Sequence, residues 1–344
     1  MKPRSLLIAI IAGIFILFAA PSLAQDDPVD PFVGMWALDL DYEDNTAGWL
    51  EVSQEDGYID SEILWRWGSV YPVDYSMIFM GNLLLVHGRD VVREKDAKGN
   101  PLRTQHPIFW FDVEMDGADR IKGSASFPNP DGIEFESVSF TGKRIPPYGE
   151  APDVSKIQYG KPLDLFNGKN LKGWELLEPQ SVNGWAAVDG VLFNNPVQPE
   201  GEEHVSYGNL RTAGTYEDFK LSLEVNVPAG SNSGVYLRGI YEVQVLDSYG
   251  KSLDSHNMGG LYSRITPSEA AEKPAGEWQE MEMTLYKRHL TVVLNGKTII
   301  DNQAVKGVTG GAMSSDEFIP GPIYLQGDHG EVSYRNIVLT PIKE

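Results

Sequence analysis

The chain has 344 residues, no cysteine and a formal net charge of −21. Without thiols there are no disulfides and no thiolate zinc sites, so stability must come from buried cores, which a chain of this length can build. So acidic a field repels phosphate backbones, and nucleic acid is not an expected partner.

In chain order, Lys2 and Arg4 precede an apolar run over residues 6–20, and Ser22-Leu23-Ala24 places small residues where a signal peptidase cuts. This is the plan of a secretory signal peptide, residues 1–24, with cleavage after Ala24. The run is shorter than the roughly 20 residues a spanning helix needs, and no cysteine follows it to carry a lipid. Cleavage removes Lys2 and Arg4 and takes the charge from −21 to −23. The expected product is exported, periplasmic or extracellular, with no later membrane span, and long enough for two domains.

The many glycines and prolines, with Asp-Gly and Asn-Gly pairs between short apolar segments, predict an all-β chain. Segments 36–40, 48–52, 58–65, 75–80, 83–86 and 109–115 read as strands, with turns at Asp56-Gly57, Asp116-Gly117 and Asp131-Gly132. They predict a small antiparallel β-barrel or sandwich of six to eight strands over residues 30–148, with its tryptophans mostly in the core. Its opening, Gly34-Met35-Trp36, is similar to the start of lipocalin-like barrels, which would allow a ligand cavity. Residues 145–162, rich in Pro, Gly and polar side chains and without periodicity, mark a boundary, with the linker itself at 149–161.

The second domain, residues 162–344, has a sharper pattern. Phe219, Leu221, Leu223 and Val225 alternate with polar residues, the sign of a half-buried strand. Asn295-Gly296 joins segments 291–294 and 297–300 as a two-residue hairpin. Segments 323–326 and 332–339 are expected to form a last strand pair around Gly327-Asp328-His329-Gly330. A turn or two of helix is expected only at 267–272. The prediction is a two-sheet jelly-roll sandwich with one face packed and the other open.

Chemistry concentrates in residues 231–262. In the strand at 241–246, Glu242 and Gln244 share one face while Val243 and Val245 share the other. Asp247 follows, and Arg238 precedes on the neighbouring strand. A face with Arg, Glu, Gln and Tyr, beside Gly-rich turns and Trp278, suits hydrogen bonding to sugar hydroxyls. A merely solvated outer face is the alternative.

The chain then resembles a known family, motif by motif and in order. Leu165-Phe166-Asn167-Gly168-Lys169-Asn170-Leu171-Lys172-Gly173-Trp174 is similar to the opening of the 3-keto-disaccharide hydrolase domain. Asn209-Leu210-Arg211-Thr212, Asn232-Ser233-Gly234-Val235-Tyr236-Leu237-Arg238, Tyr241-Glu242-Val243-Gln244-Val245-Leu246-Asp247, Gly276-Glu277-Trp278 and Leu325-Gln326 with His329-Gly330 continue the likeness, over about residues 161–342. Gln279, where the family often carries Asn, and the longer turn at Gly327-Asp328 depart from the pattern.

The resemblance implies a concanavalin-like jelly roll acting on glycosides already oxidised at C3. A C3 ketone acidifies the C2 proton, so a base can remove it, the C1 substituent can leave, and water can add back. On that basis His329 or Asp247 is the expected base and Glu242 the acid or base. Arg238, Gln244, His256, Tyr262, Trp278 and Gln326 are expected to bind substrate. His289 is expected at the surface, and His87, His106 and His204 carry no constellation. No spacing matches a dedicated metal motif, although a divalent cation on His329, Asp328 or Asp247 could hold an enolate. Two other classes compete. A non-catalytic carbohydrate-binding protein can use the same fold. A glucanase needs paired carboxylates, and Gln244 occupies the position the second one would take.

Overall fold

Eight antiparallel strands of the N-terminal domain close into a barrel. The order runs Ala47–Glu55, Gly34–Leu40, Phe135–Ile145, Arg120–Pro128, Ile108–Met115, Asn82–Gly88, Tyr75–Phe79 and Tyr58–Trp65, which pairs again with Ala47–Glu55. The computed structural model describes residues 27–343 apart from Asn45, Pro130, Glu200 and Glu202, so residues 1–24, expected to be a signal peptide, lie outside the described residues. Alternation drives the barrel, with Trp36, Leu38, Leu50, Leu83, Leu85, Phe111 and Phe140 turned into one buried cluster. A separate hairpin, Val91–Lys95 with Pro101–Gln105, stands off the barrel.

The C-terminal domain is two antiparallel sheets packed face to face. The larger runs Trp185–Val188, Val191–Asn194, Val332–Lys343, Phe219–Asn226, Trp278–Tyr286, His289–Leu294 and Lys297–Ala304. The smaller runs Trp174–Leu176, Leu210–Thr212, Tyr324–Leu325, Asn232–Leu237 and Tyr241–Leu246. Between them lie Leu221, Leu223, Met281, Met283, Val235, Val243 and Ile337, among others. Barrel residues Met35, Ala47, Trp49 and Leu64 belong to the same buried cluster, so one outer face of the barrel packs on the sandwich. The 145–162 stretch holds one 3₁₀ turn, Val154–Lys156, before Gln158–Tyr159 pairs with the last strand. No helix among the described residues is long and apolar enough to cross a membrane.

Several expectations need correction. No helix forms at 267–272, an irregular segment with a bend at Ser268 and Glu269, held by Ser268 N–H donating to the Ile299 carbonyl at 2.8 Å and Asn295 Nδ2 to that of Ala271 at 2.9 Å. Tyr324–Leu325 and Val332–Lys343 do not pair with each other; they lie in opposite sheets, and Gly327–Gly330 is the crossover between them. The face bearing Glu242 is not open either. Tyr241–Leu246 is buried at nearly every residue, because loops and the barrel cover the side away from the core.

Candidate active site

The cross-strand register builds a row of polar side chains on the covered face of the smaller sheet. Glu175 pairs with Arg211, Arg211 with Tyr324, Tyr324 with Tyr236, and Tyr236 with Glu242. The Glu175–Arg211 ion pair is 2.6 Å long, and the rings of Tyr236 and Tyr324 stack at 3.9 Å and 9°. Glu242, 3% exposed, ends the row. Gly234 stands beside it on the neighbouring strand; a Cβ there would collide with Glu242 Oε1, so only glycine leaves room for the carboxyl group.

Tyr236 Oη lies 2.9 Å from Glu242 Oε2 and 2.7 Å from the carbonyl oxygen of Gly310. A phenol has one hydrogen and a carbonyl can only accept. That one hydrogen is shared between two acceptors, the Gly310 carbonyl and the Glu242 carboxyl, and its donation to the carboxyl lowers the acid's pKa. Burial outweighs it and pushes Glu242 up to about 8. Thr309 Oγ1 accepts from the Glu242 backbone N–H at 2.9 Å, so residues 309–310 hold both ends of the acid.

His329 sits on the crossover, its side chain 47% exposed, with Nδ1 2.6 Å from Asp328 Oδ1. That bond puts the ring proton on Nδ1 and leaves Nε2 as the basic nitrogen. The Asp328 hydrogen bond also raises the His329 pKa, and the charges of His329 and Asp328 are both felt at Glu242. The turn is anchored by Asn194 Nδ2 donating to the Gly327 carbonyl at 2.9 Å and by Gly327 N–H donating to Asn209 Oδ1 at 2.9 Å. Near it, Gln326 Oε1 and Asn232 Oδ1 are buried without hydrogen-bond partners among the described residues. Gln326 N–H donates to the Gly234 carbonyl at 3.0 Å, which sets it beside the glycine. Unpaired acceptors of this kind suit donors from a sugar.

The other predicted residues divide. Gln244, 3% exposed, shares the face with Glu242 opposite Gly234, its Oε1 accepting from Val245 N–H at 3.1 Å. Tyr262 N–H donates to the Glu242 carbonyl at 2.9 Å, and its ring meets the edge of His256 at 4.8 Å. His256 bonds Asp254 through Nδ1 and Ser69 Oγ of the barrel through Nε2 at 2.8 Å.

Arg238, Asp247 and Trp278 are placed elsewhere. Arg238 has φ +57, which ends the strand and turns its guanidinium to the carbonyls of Glu317 and Ile319, the former at 2.8 Å. Asp247 Oδ2 accepts from Gly230 N–H at 2.9 Å and closes that turn. Trp278 lies on the outer face of the larger sheet with Arg335 stacked over it at 4.0 Å. His289, expected at the surface, is buried, its Nδ1 3.0 Å from the Lys287 carbonyl oxygen. No three His, Asp or Glu side chains among the described residues converge as a metal cage. Tyr236, Thr309 and Gly310 were missed as functional residues. Tyr236 shares strand parity with Glu242 across the register, a usable signal, whereas the 309–310 loop carries none.

Comparison with known proteins places this arrangement. A 3-keto-disaccharide hydrolase of Bacteroides thetaiotaomicron is 26% identical over 168 residues, 40% of this chain and 57% of that protein, so the chain spans less than two thirds of this relative. A crystal structure from Parabacteroides distasonis, assigned provisionally to the glycosyl hydrolases, is 27% identical with a TM-score of 0.43, covering 56% of this chain and 93% of that one. A non-specific endo-β-1,3(4)-glucanase is 12% identical with a TM-score of 0.30, covering 56% of this chain and 87% of that one. The 3-keto-alpha-glucoside-1,2-lyase-like domain matches residues 161–340, more than half of the chain. Those residues hold both sheets, the Glu242 row and the His329 crossover, and the chain belongs to the 3-keto-alpha-glucoside-1,2-lyase-like domain family.

Proposed function

We propose that the protein is an exported enzyme that cleaves 3-keto-glycosides by elimination and hydration. His329 Nε2 takes the C2 proton, made acidic by the C3 ketone, with Asp328 holding the resulting imidazolium. The C2–H electron pair forms the C1=C2 double bond as the C1–O bond breaks. Glu242 gives its proton to the departing oxygen, and addition of water across the double bond completes a net hydrolysis. Gln326 and Asn232 accept hydrogen bonds from sugar hydroxyls. Asp247, turned to Gly230, and Arg238, turned to the 317–319 loop, take no part.

The observation that supports this reading is the burial of Glu242, which raises its carboxyl to about 8 against the lowering effects of the Tyr236 hydrogen bond and the His329 charge, and so favours a protonated acid within the field of a histidine. The sequence at Lys2 to Ala24 supports export, and amino-terminal sequencing of protein secreted by a bacterial host should start at Gln25.

The test is incubation with trehalose and with 3-keto-trehalose, following released glucose and 3-keto-glucose. Release from the oxidised sugar alone, lost in folded Glu242→Gln and His329→Ala variants, is the expected result. Cleavage of unoxidised trehalose would refute the mechanism, and binding without cleavage of either sugar would leave a carbohydrate-binding protein.

A further inference from the structure

The barrel lies outside the family domain, yet one of its turns is built into the edge of the site. Residues 66–69, Arg-Trp-Gly-Ser, press on the loop that holds Glu242. Gly311 N–H donates to the Arg66 carbonyl at 3.0 Å, and Val70 N–H donates to Ser263 Oγ at 2.9 Å. Ser69 Oγ meets His256 Nε2 at 2.8 Å. At Gly310 the backbones touch so closely that a Cβ would collide with Gly68. The backbone of the turn is therefore held against that loop.

Trp67 in this turn is left 55% exposed. One exposed aromatic residue is ordinary on a protein surface; its location is what matters here. Tyr236 Oη and Trp67 Cζ3 lie 2.9 and 3.4 Å from the point a Gly311 Cβ would occupy. The indole thus stands next to the phenol that bonds Glu242, on the side of the acid. The acid serves the departing oxygen, so the leaving group lies on that side.

We propose that Trp67 is a platform for the leaving group of the glycoside, an aglycone or second sugar ring whose C–H face packs on the indole. The barrel would then select substrates through their leaving half while the sandwich holds the oxidised half. This rests on the reaction proposed above in naming the ligand and its orientation.

The test is affinity of the full chain and of Trp67→Ala and Trp67→Phe variants, read as KM where the sugar is cleaved and by calorimetry where it is not, with 3-keto-trehalose and methyl 3-keto-glucoside as probes. The exposed side chain makes a folding defect unexpected, and equal melting temperatures check it. Trp67→Ala should weaken binding of the disaccharide about tenfold, Trp67→Phe by less than threefold, and neither should change binding of the methyl glycoside. No loss, or equal loss for both probes, would overturn the proposal. If wild type binds the disaccharide without cleaving it, the reaction reading falls while this comparison still decides the role of Trp67. Binding of neither probe by wild type overturns both.

Discussion

Tyr236 and Glu242 face each other across adjacent strands with 2.9 Å between phenol oxygen and carboxyl oxygen, and the phenol oxygen also lies 2.7 Å from the Gly310 carbonyl oxygen. Burial raises the carboxyl to about 8, so it carries a proton at neutral pH. The mechanism proposed above uses that group as the acid and His329 as the base.

The first prediction is a narrow pH optimum. His329 works only once deprotonated, and its pKa is raised, so the acid limb of kcat/KM should fall above the ordinary imidazole value of 6.5. Glu242 works only while protonated, so the alkaline limb should fall near 8. A pH–rate profile measures both. Asp328→Asn should move both limbs to lower pH and the acid limb the more, because the hydrogen bond His329 donates to Asp328 is the largest contribution to its raised pKa, while the Asp328 charge makes only a lesser contribution to raising Glu242.

Stability should carry the signature of the same carboxyl group. Its folded pKa of about 8 lies above the ordinary 4.5, so between those values the folded chain holds a proton that the unfolded chain releases. That contribution favours folding at low pH and is lost as pH rises through the window. Glu242→Gln, uncharged as the protonated acid is, should match wild type in melting temperature near pH 4. At pH 8 it should melt higher by about 2 °C or more. A gap that stays constant with pH would count against a protonated Glu242.

Gly234→Ala tests the space reserved for the acid. The added methyl group would displace the carboxyl group of Glu242, so activity should fall by about a hundredfold, the scale of general acid catalysis. The circular dichroism spectrum should stay that of the folded protein. Retained activity would mean that the carboxyl group has room to spare.

Arg238 and Asp247 should behave as structural residues. Arg238→Met removes bonds to two loop carbonyls and should cost about 2 kcal/mol of stability in denaturant titration. Asp247→Asn should keep kcat within about twofold, since its side chain closes the Gly230 turn. A large loss of kcat in a folded Asp247→Asn protein would return that residue to the list of bases.

The legible parts of the molecule were those governed by local periodicity. Alternation at Phe219, Leu221 and Leu223 marks a strand, and the same period of two puts Glu242 and Gln244 on one face. Asn295, with φ +50, and Gly296 make the turn their residue types demand. What failed depends on chain path. Arg238 and Gly239 both adopt left-handed backbone and turn the hairpin, which Gly239 signals, but nothing local says that the Arg238 guanidinium points to the 317–319 carbonyls; Trp278 likewise carries no mark of which sheet it joins. Segments 323–326 and 332–339 look like partners because a short turn joins them, yet the turn crosses between sheets. The longest barrel strand, Phe135–Ile145, carries no clear sequence signal, because its buried positions include Gly142 beside Val138, Phe140 and Ile145, while its one other large apolar residue, Phe135, is exposed.

The crossover at Gly327–Gly330 has a mechanical meaning. Glu242 is fastened within the smaller sheet, whereas His329 rides on a segment tied at one end to that sheet and at the other to the larger one. The separation of Glu242 and His329 is therefore a gauge of how the two sheets are seated on each other. Methionines 281 and 283, deep between the sheets and remote in sequence from either group, help to set that gauge. Shaving volume there would detune the chemistry without touching a single polar atom of the site.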